Sequence, residues 1–256
     1  MIRDVLGKHY IGMNKEFRFR GEEPGRLENF SDAVFALAVT LLLISTSAPS
    51  NFEQIKRFAW ELIPFCVCIV LIILIWHEHF VFFYRYGLRN GKVIALNTLF
   101  LIIVLFYVYP LKFIWKILLL YPLAYIFKEE GILVELSNMF KPQDMGSIMI
   151  IYGTGAASIF IVLMLMYRYA LKKGHVLDLN DIEEFDTRQS MNRNFVMAIV
   201  PTLSVILAAL FINHPLVGMY SGFIYFLYPP LMVFYTIKTK KRRNKLLSGI
   251  HNAVAI

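Results

Sequence analysis

Six apolar segments, each long enough to cross a lipid bilayer, place the strongest limit on how this chain can fold. Each is close to the roughly 20 residues that a membrane-spanning helix needs. They lie at about 30–48, 58–84, 93–115, 146–170, 195–213 and 216–237. Hydrophobic residues make up 58% of the chain and charged residues 17%, whereas soluble proteins carry about 25% charged residues. The sequence therefore predicts an all-α integral membrane protein with six transmembrane helices.

The distribution of Lys and Arg predicts the orientation of these helices. If the segments alternate across the membrane, one side receives all but six of the 26 Lys and Arg residues. The six on the other side are Lys56, Arg57, Lys112, Lys116, Lys128 and Lys141. Because basic residues concentrate on the cytoplasmic side of membrane proteins, both termini are expected in the cytoplasm.

Charge and hydropathy also divide the chain into three parts. Residues 1–25 lack the apolar core of a signal peptide, so we expect a cytoplasmic N-terminal arm. Residues 26–237 form the predicted six-helix transmembrane domain, and residues 238–256 form a basic cytoplasmic tail. Since the tail directly follows an apolar span, its position favours contact with anionic lipid headgroups over binding to nucleic acid.

Two features of the sequence leave alternatives open. The apolar patch within residues 116–145 is too short to span a bilayer, so this region either extends the third helix or lies at the outer interface. Pro201 and the pair Pro229-Pro230 fall inside the fifth and sixth segments. These prolines either kink their helices or break them at a substrate site, as in secondary transporters.

Polar residues of the first three segments share one depth in the membrane. With a rise of 1.5 Å per residue, they fall about 6 to 12 Å from the inner boundary. The residues at this depth are Asp32, Trp76, His77, Glu78, His79 and Asn97. Because buried polar groups need partners, we expect a network of Ser31 or Asp32 with His79 and Asn97, capped from the interface by Arg26. A proton relay is the functional alternative, whereas His77 and His79 lie about 200° apart and cannot chelate one metal ion.

The first helix carries a second face, away from Asp32. On a helical wheel, Thr40 and Ile44 lie within about 60° of Leu37, while Asp32 lies about 140° away. A narrow stripe of aliphatic residues with a single hydroxyl is typical of a core or of a lipid-facing surface. It also suits a pore, because hydrophobic constrictions gate channels by dewetting and hydroxyl rings replace part of an ion's water shell.

The motif Arg26-x-x-x-Phe30-Ser31-Asp32, continued by an apolar run to Leu42, resembles the signature of the transmembrane protein 175 family of potassium channels. The motif Trp76-x-x-His79-x-x-x-Phe83 of the second helix is similar to a further mark of that family. Leu96-Asn97, with Phe106 and Pro110, supplies another in the third helix. The single six-helix unit resembles the prokaryotic form of the family, and Phe80 departs from it, standing where many members have a second histidine.

The resemblance implies a symmetric homotetramer with a central pore lined by the first helix of each subunit. Leu37 would match the aliphatic constriction of the family, Thr40 its hydroxyl ring and Ile44 the next pore-facing turn. The structural polar network would consist of Arg26, Ser31, Asp32, Trp76, His79 and Asn97. Potassium would be the permeant ion, transiently near Thr40, with no cofactor and no resident metal. The location implied is the plasma membrane of a prokaryote.

The sequence thus favours a potassium-permeable cation channel that conducts passively through stacked aliphatic and threonine rings. The alternative is a proton-coupled secondary transporter that uses Asp32 and His79. An enzyme is not expected, because no set of catalytic residues meets at one depth with an open site.

Overall fold

The computed structural model describes residues 17–44, 49–139 and 141–254, and it shows side chains for all of these except 142 and 249–254. The part of the predicted N-terminal arm at residues 1–16 lies outside the described residues. Within the described ranges, eight α-helices follow one another along the chain. They are α1 (Arg26–Ile44), α2 (Phe52–Tyr86), α3 (Gly91–Phe127), α4 (Glu130–Met139), α5 (Met145–Lys172), α6 (Asp181–Leu210), α7 (Val217–Phe223) and α8 (Tyr228–Val254).

Six stretches are long and apolar enough to cross a membrane, as the sequence predicts. They are Arg26–Ile44, Phe52–Tyr86, Gly91–Phe127, Met145–Lys172, Asp181–Leu210 and Val217–Ser248. Helices α2 and α3 have 35 and 37 residues, which corresponds to about 50 Å at 1.5 Å per residue. Since the hydrocarbon core is about 30 Å thick, both helices are longer than an untilted helix needs to cross it.

The first part of the region 116–145 extends the third helix, which is one of the two alternatives that the sequence leaves open. Helix α3 continues through Pro110 and Pro122 to Phe127, and the short helix α4 follows it. The turn between them has Lys128 in the left-handed conformation, with φ of 55°. Helix α4 packs against the end of α3 through a small apolar cluster of Leu120, Ala124, Ile132 and Leu136.

The other prolines differ in their effect on the helices. Helix α6 runs through Pro201 without interruption. Pro229 and Pro230 lie in the first turn of α8, where a missing backbone N–H breaks no hydrogen bond of the helix. A short 3₁₀ segment, Ile224–Leu227, separates α7 from α8, so the sixth span is built from three consecutive helical pieces.

Helix α1 packs against α2 and α3, while α5 and α6 form the most extensive helix pair. The core between these groups is lined by large apolar side chains of α1, α2, α3 and α5. Its members include Phe35, Leu42, Phe82, Phe100, Val104, Leu163 and Met166. The core therefore holds one side of α1 and leaves the opposite side uncovered within this chain.

The described end of the N-terminal arm is bound to the C-terminal end of α2. Phe17 is buried, and the guanidinium of Arg85 lies 4.9 Å from the centroid of its ring. The Gly21 N–H donates to the Tyr84 carbonyl at 3.1 Å. A Cβ atom at Gly21 would lie 2.2 Å from the Phe83 carbonyl oxygen, so only glycine permits this close backbone approach.

A buried carboxylate links the arm to the start of α6. Glu183 completes a capping box with Asn180, and its side chain is fully buried. Arg18 donates to it through both its backbone N–H at 2.8 Å and its guanidinium at 2.9 Å, and Arg20 adds a third donor at 2.9 Å. Hydrogen bonds to Glu183 and to Asp178 raise the pKa of the Arg18 guanidinium above its ordinary value.

The basic tail continues the last helix. Helix α8 runs through residue 238, where the sequence predicts the transmembrane domain to end. The Arg243 guanidinium pairs with Asp186 at 3.0 Å, and the Tyr235 hydroxyl donates to the Gln189 carbonyl at 2.7 Å. These contacts hold the tail helix along α6.

Glu183→Ala tests the link between the arm and α6. The change removes the buried acceptor of these hydrogen bonds, and because the Arg18 and Arg20 side chains are 52% and 20% exposed and can regain water, we expect a loss of about 1.5 to 3 kcal/mol. Glu184→Ala is the matched control, since its pair with Arg188 is half exposed and such pairs contribute at most about 1 kcal/mol. Thermal melting of the detergent-purified protein measures both, and equal melting temperatures would contradict the link.

Candidate pore helix and its polar network

Helix α1 buries one face against the rest of its subunit. The buried residues recur at spacings of three and four, which places them on one side of a helix. They are Glu28, Ser31, Phe35, Ala38 and Leu42. The polar members lie towards the start of the helix and the apolar members towards its end. The contacts of this face are therefore hydrogen bonds near the start of α1 and apolar packing further along it.

The opposite face carries the predicted pore residues. Leu37 is 50% exposed and Ile44 is 68% exposed, and Thr40 is also exposed. Their mean direction lies about 165° from that of the buried stripe at 100° per residue. The Thr40 hydroxyl donates to the Ala36 carbonyl at 2.9 Å, so its oxygen keeps acceptor lone pairs directed away from the helix.

Asn97 of α3 connects α1 to α2 through a buried series of hydrogen bonds that joins Ser31, Asn97 and His79, the Asn97 chain. The Ser31 hydroxyl donates to the Leu27 carbonyl at 2.8 Å and accepts from the Asn97 Nδ2 at 2.9 Å. The Asn97 Oδ1 lies 2.6 Å from the His79 Nε2. Since an amide oxygen only accepts, the His79 Nε2 carries the hydrogen. The structure therefore brings together three of the residues that the depth argument selects.

Aromatic rings enclose the His79 imidazole. Phe100 stacks on it with a centroid distance of 5.3 Å and an interplanar angle of 8°. Phe83 and Phe35 lie at centroid distances of 4.8 and 5.7 Å. His79 is 1% exposed, so the Asn97 contact lies in an apolar surrounding, where an unpaired polar group would be costly.

Asp32 is not part of the hydrogen-bond chain through Asn97 and has a different partner. The Trp76 indole N–H donates to the Asp32 Oδ1 at 2.8 Å, and the Trp76 ring stacks on Phe80 at 5.6 Å and 20°. The Asp32 side chain is exposed on the surface of this subunit. The single network expected from the sequence is thus two separate contacts between α1 and its neighbours, because equal depth does not imply that residues face one another.

Arg26 also lies outside the Asn97 chain, exposed on the surface of this subunit. The ion pair at the start of α1 is instead formed by Glu28 and Arg89, at 3.0 Å. Glu28 further accepts the Gly25 N–H at 3.0 Å, and Arg89 donates to the Glu23 carbonyl at 2.6 Å. Neither Glu28 nor Arg89 is among the site residues predicted from the sequence, although an acidic residue in the first turn of a helix is a recognisable signal.

Two further charged pairs join helices of this subunit and are not predicted from the sequence. The Arg193 guanidinium of α6 donates to the Glu78 carboxylate of α2, and Lys112 of α3 lies 3.5 Å from Glu61 of α2. The two members of each pair are far apart in sequence, although α2 and α3 themselves are consecutive helices. Their members look like isolated charges within apolar segments, and the only signal available was that such charges need partners.

Comparisons with known proteins cover both the α1 region and most of the chain. The sequence model of a family described as "Endosomal/lysosomal potassium channel TMEM175" matches residues 26–107. A protein of Marivirga tractuosa named "Potassium channel" is 43% identical over 242 residues, which is 93% of this chain and 96% of that protein. Both matches carry names of channels and not of enzymes.

Solved structures show the same fold. A crystal structure of a variant of the potassium channel MtTMEM175, in complex with a nanobody–MBP fusion protein, matches with a TM-score of 0.78 and 41% identity, over 90% of this chain and 100% of that one. A lysosomal potassium-selective channel TMEM175 homologue from Chamaesiphon minutus matches with a TM-score of 0.51 and 17% identity, over 84% and 97%. These likenesses confirm the predicted all-α fold with six transmembrane helices. The identity to the Marivirga channel and to MtTMEM175, over nearly the whole chain, shows that this chain belongs to the TMEM175 family of potassium channels.

Proposed function

We propose that this chain is the subunit of a potassium-permeable cation channel that conducts passively. The observation that carries the proposal is the uncovered aliphatic stripe on α1, opposite a fully packed face, in a chain 43% identical to a bacterial potassium channel. A stripe left open by its own subunit is available to line a space shared by several copies.

The pore we propose is a stack of three rings from α1. Four copies of Leu37 around one axis form a narrow neck that dewets and acts as the gate. Thr40 lies about 4.5 Å further along the helix axis and Ile44 about 6 Å beyond it. The Thr40 oxygens replace part of the water shell of a passing potassium ion, which supplies a preference for potassium over sodium.

This pore requires a homotetramer with closed fourfold symmetry, since each subunit contributes one copy of α1. Closed rings are the usual outcome of a repeated head-to-tail interface. Light scattering of the detergent-purified protein measures the number of subunits, and a monomer or dimer that still conducts potassium would contradict the proposed pore.

The alternative of a proton-coupled transporter using Asp32 and His79 has less support. Asp32 is bound to Trp76, whereas His79 is bound to Asn97 and enclosed by aromatic rings, so the two groups are not joined into one relay. Potassium flux that persists without a proton gradient separates the channel from the carrier.

We place the channel in the plasma membrane of a prokaryote with both termini in the cytoplasm. The basic side chains of α8 support this orientation, because anionic lipids of the inner leaflet attract clustered Lys and Arg. Five of these side chains are exposed, namely Lys238, Lys240, Lys241, Arg242 and Lys245. Labelling of engineered cysteines from either side of right-side-out vesicles tests the orientation.

The pore rings are tested by Leu37→Ala and Thr40→Ala. Potassium flux into liposomes should rise severalfold in Leu37→Ala, because a smaller ring widens the neck. Thr40→Ala should lower the ratio of potassium to sodium permeability. Leu43→Ala is the matched control, since Leu43 is 49% exposed on the same helix but lies about 120° from Leu37. Unchanged flux and selectivity in both ring variants would rule out this pore.

We also propose that the Asn97 chain fastens α1 to its own subunit, and Asn97→Leu tests this role. The change leaves Ser31 and His79 without their buried partner, which costs about 1 to 3 kcal/mol. The melting temperature of the purified channel should fall, while Thr98→Val on the exposed side of α3, where the hydroxyl only bonds the Ile94 carbonyl, should leave it nearly unchanged. A stable Asn97→Leu channel would show that packing alone fixes α1.

The lipid contact of the tail is tested by the triple change Lys240→Gln, Lys241→Gln and Arg242→Gln. Each basic residue near an anionic surface contributes about 1 kcal/mol, so binding of anionic lipid to the purified channel should weaken by tenfold or more. Arg243→Gln is unsuitable for this purpose, because Arg243 pairs with Asp186. Equal lipid binding by the triple variant and the natural protein would place the contact elsewhere.

A further inference from the structure

A buried lysine contacts the backbone of α1 at the end opposite to the Asn97 chain. The Lys112 ammonium of α3 donates to the Leu42 carbonyl at 3.3 Å and lies 3.5 Å from the Glu61 carboxylate of α2. Lys112 is only 7% exposed. One side chain therefore links α1, α2 and α3 where α1 approaches its described end.

The chemistry of a helix end explains why a lysine suits this place. The carbonyl oxygens towards the C-terminal end of a helix lie at the negative end of its dipole, and each has two lone pairs, so one carbonyl can accept more than one hydrogen bond. A buried ammonium needs more than one partner to offset its lost hydration. Lys112 finds a carbonyl on α1 and a carboxylate on α2, and its burial fixes the long side chain in one geometry.

Lys116, one turn further along α3, makes a different set of contacts. Its ammonium lies 2.9 Å from the same Glu61 carboxylate and 2.8 Å from Glu135 of α4. The contacts described for Lys116 do not reach α1. The two lysines thus share a carboxylate, while the bond to the pore helix belongs to Lys112.

We propose that Lys112 is a positioning residue for ion conduction, which sets the rotation of the outer half of α1 and thereby the direction of Thr40 and Ile44. The inference rests on the proposed pore. Leu42 lies between these two residues on the helix, so a contact at its carbonyl controls the orientation of both. With side chains extending about 5 to 6 Å from the helix axis, a rotation of 10° moves their ends by roughly 1 Å.

The experiment compares Lys112→Met with Lys116→Met in purified channels reconstituted into liposomes. Both changes remove one positive charge from the same end of α3 and one partner from Glu61, so any effect of charge on approaching cations is common to the two. The measured quantities are the potassium flux and the ratio of potassium to sodium permeability. Lys112→Met should change each by at least threefold, and Lys116→Met by less than twofold.

Lys112→Arg serves as the conservative rescue, because a guanidinium also donates to a carbonyl and a carboxylate. It should restore the permeability ratio to within twofold of the natural channel. If Lys112→Met does not assemble, Glu61→Gln is compared with Glu135→Gln, since Glu61 contacts both lysines and Glu135 contacts Lys116 but not Lys112. In that pair only Glu61→Gln should alter the permeability ratio.

Equal permeability ratios in Lys112→Met and Lys116→Met, or in the two glutamate variants, would overturn the positioning role. That failure differs from failure of the proposed pore. If Thr40→Ala changes selectivity while Lys112→Met behaves like Lys116→Met, the pore stands and the role of Lys112 does not. If Thr40→Ala and Leu37→Ala have no effect, the pore is wrong and the positioning role falls with it.

Discussion

The buried side chain of Asn97 is the group that joins α1 to both of its neighbouring helices, and the proposed orientation of α1 depends on it. Its Nδ2 donates to the Ser31 hydroxyl of α1, and its Oδ1 accepts from the His79 Nε2 of α2. A buried polar group without a partner costs about 1 to 3 kcal/mol, so a rotation that withdraws Ser31 is opposed at once. Thr40 carries no such penalty, because its hydroxyl is satisfied within α1 by the Ala36 carbonyl. The same helix can therefore hold Ser31 inward and direct Thr40 outward.

Charged groups hold the two ends of α1, whereas apolar packing holds its middle. The 19 residues of the helix extend about 28 Å at 1.5 Å per residue, which is close to the thickness of the hydrocarbon core. In a helix of this length that crosses a membrane, both ends lie near the interfaces, where ionised groups are least costly. Glu28 and Arg89 lie at the first turn of α1, and Lys112 with Glu61 lies near its other described end. Because these contacts come from one subunit, each subunit can fix its own α1 before any assembly.

Hydropathy alone predicts the six helices, since a bilayer admits few other structures. Helical rise also predicts that Ser31, His79 and Asn97 share a depth, and the structure brings them together. Rise gives no direction around the helix axis, however, which is why Asp32 meets Trp76 instead of His79. The pairs Glu28–Arg89 and Glu78–Arg193 are separated by 61 and 115 residues. Their choice of partner is settled by how the helices pack, which no local pattern of one sequence contains.

The match to the family model ends at residue 107, yet part of what holds α1 lies beyond that point. Lys112 contacts the Leu42 carbonyl, and the arm that precedes α1 is bound through Arg18 and Arg20 to Glu183 of α6. A segment limited to the match would keep the Asn97 chain but lose these attachments on either side of it. The proposed pore stripe thus belongs to the first helix in sequence, while its alignment is a property of the whole subunit. Under the proposed pore, these later parts of the chain hold α1 in place without lining the pore themselves.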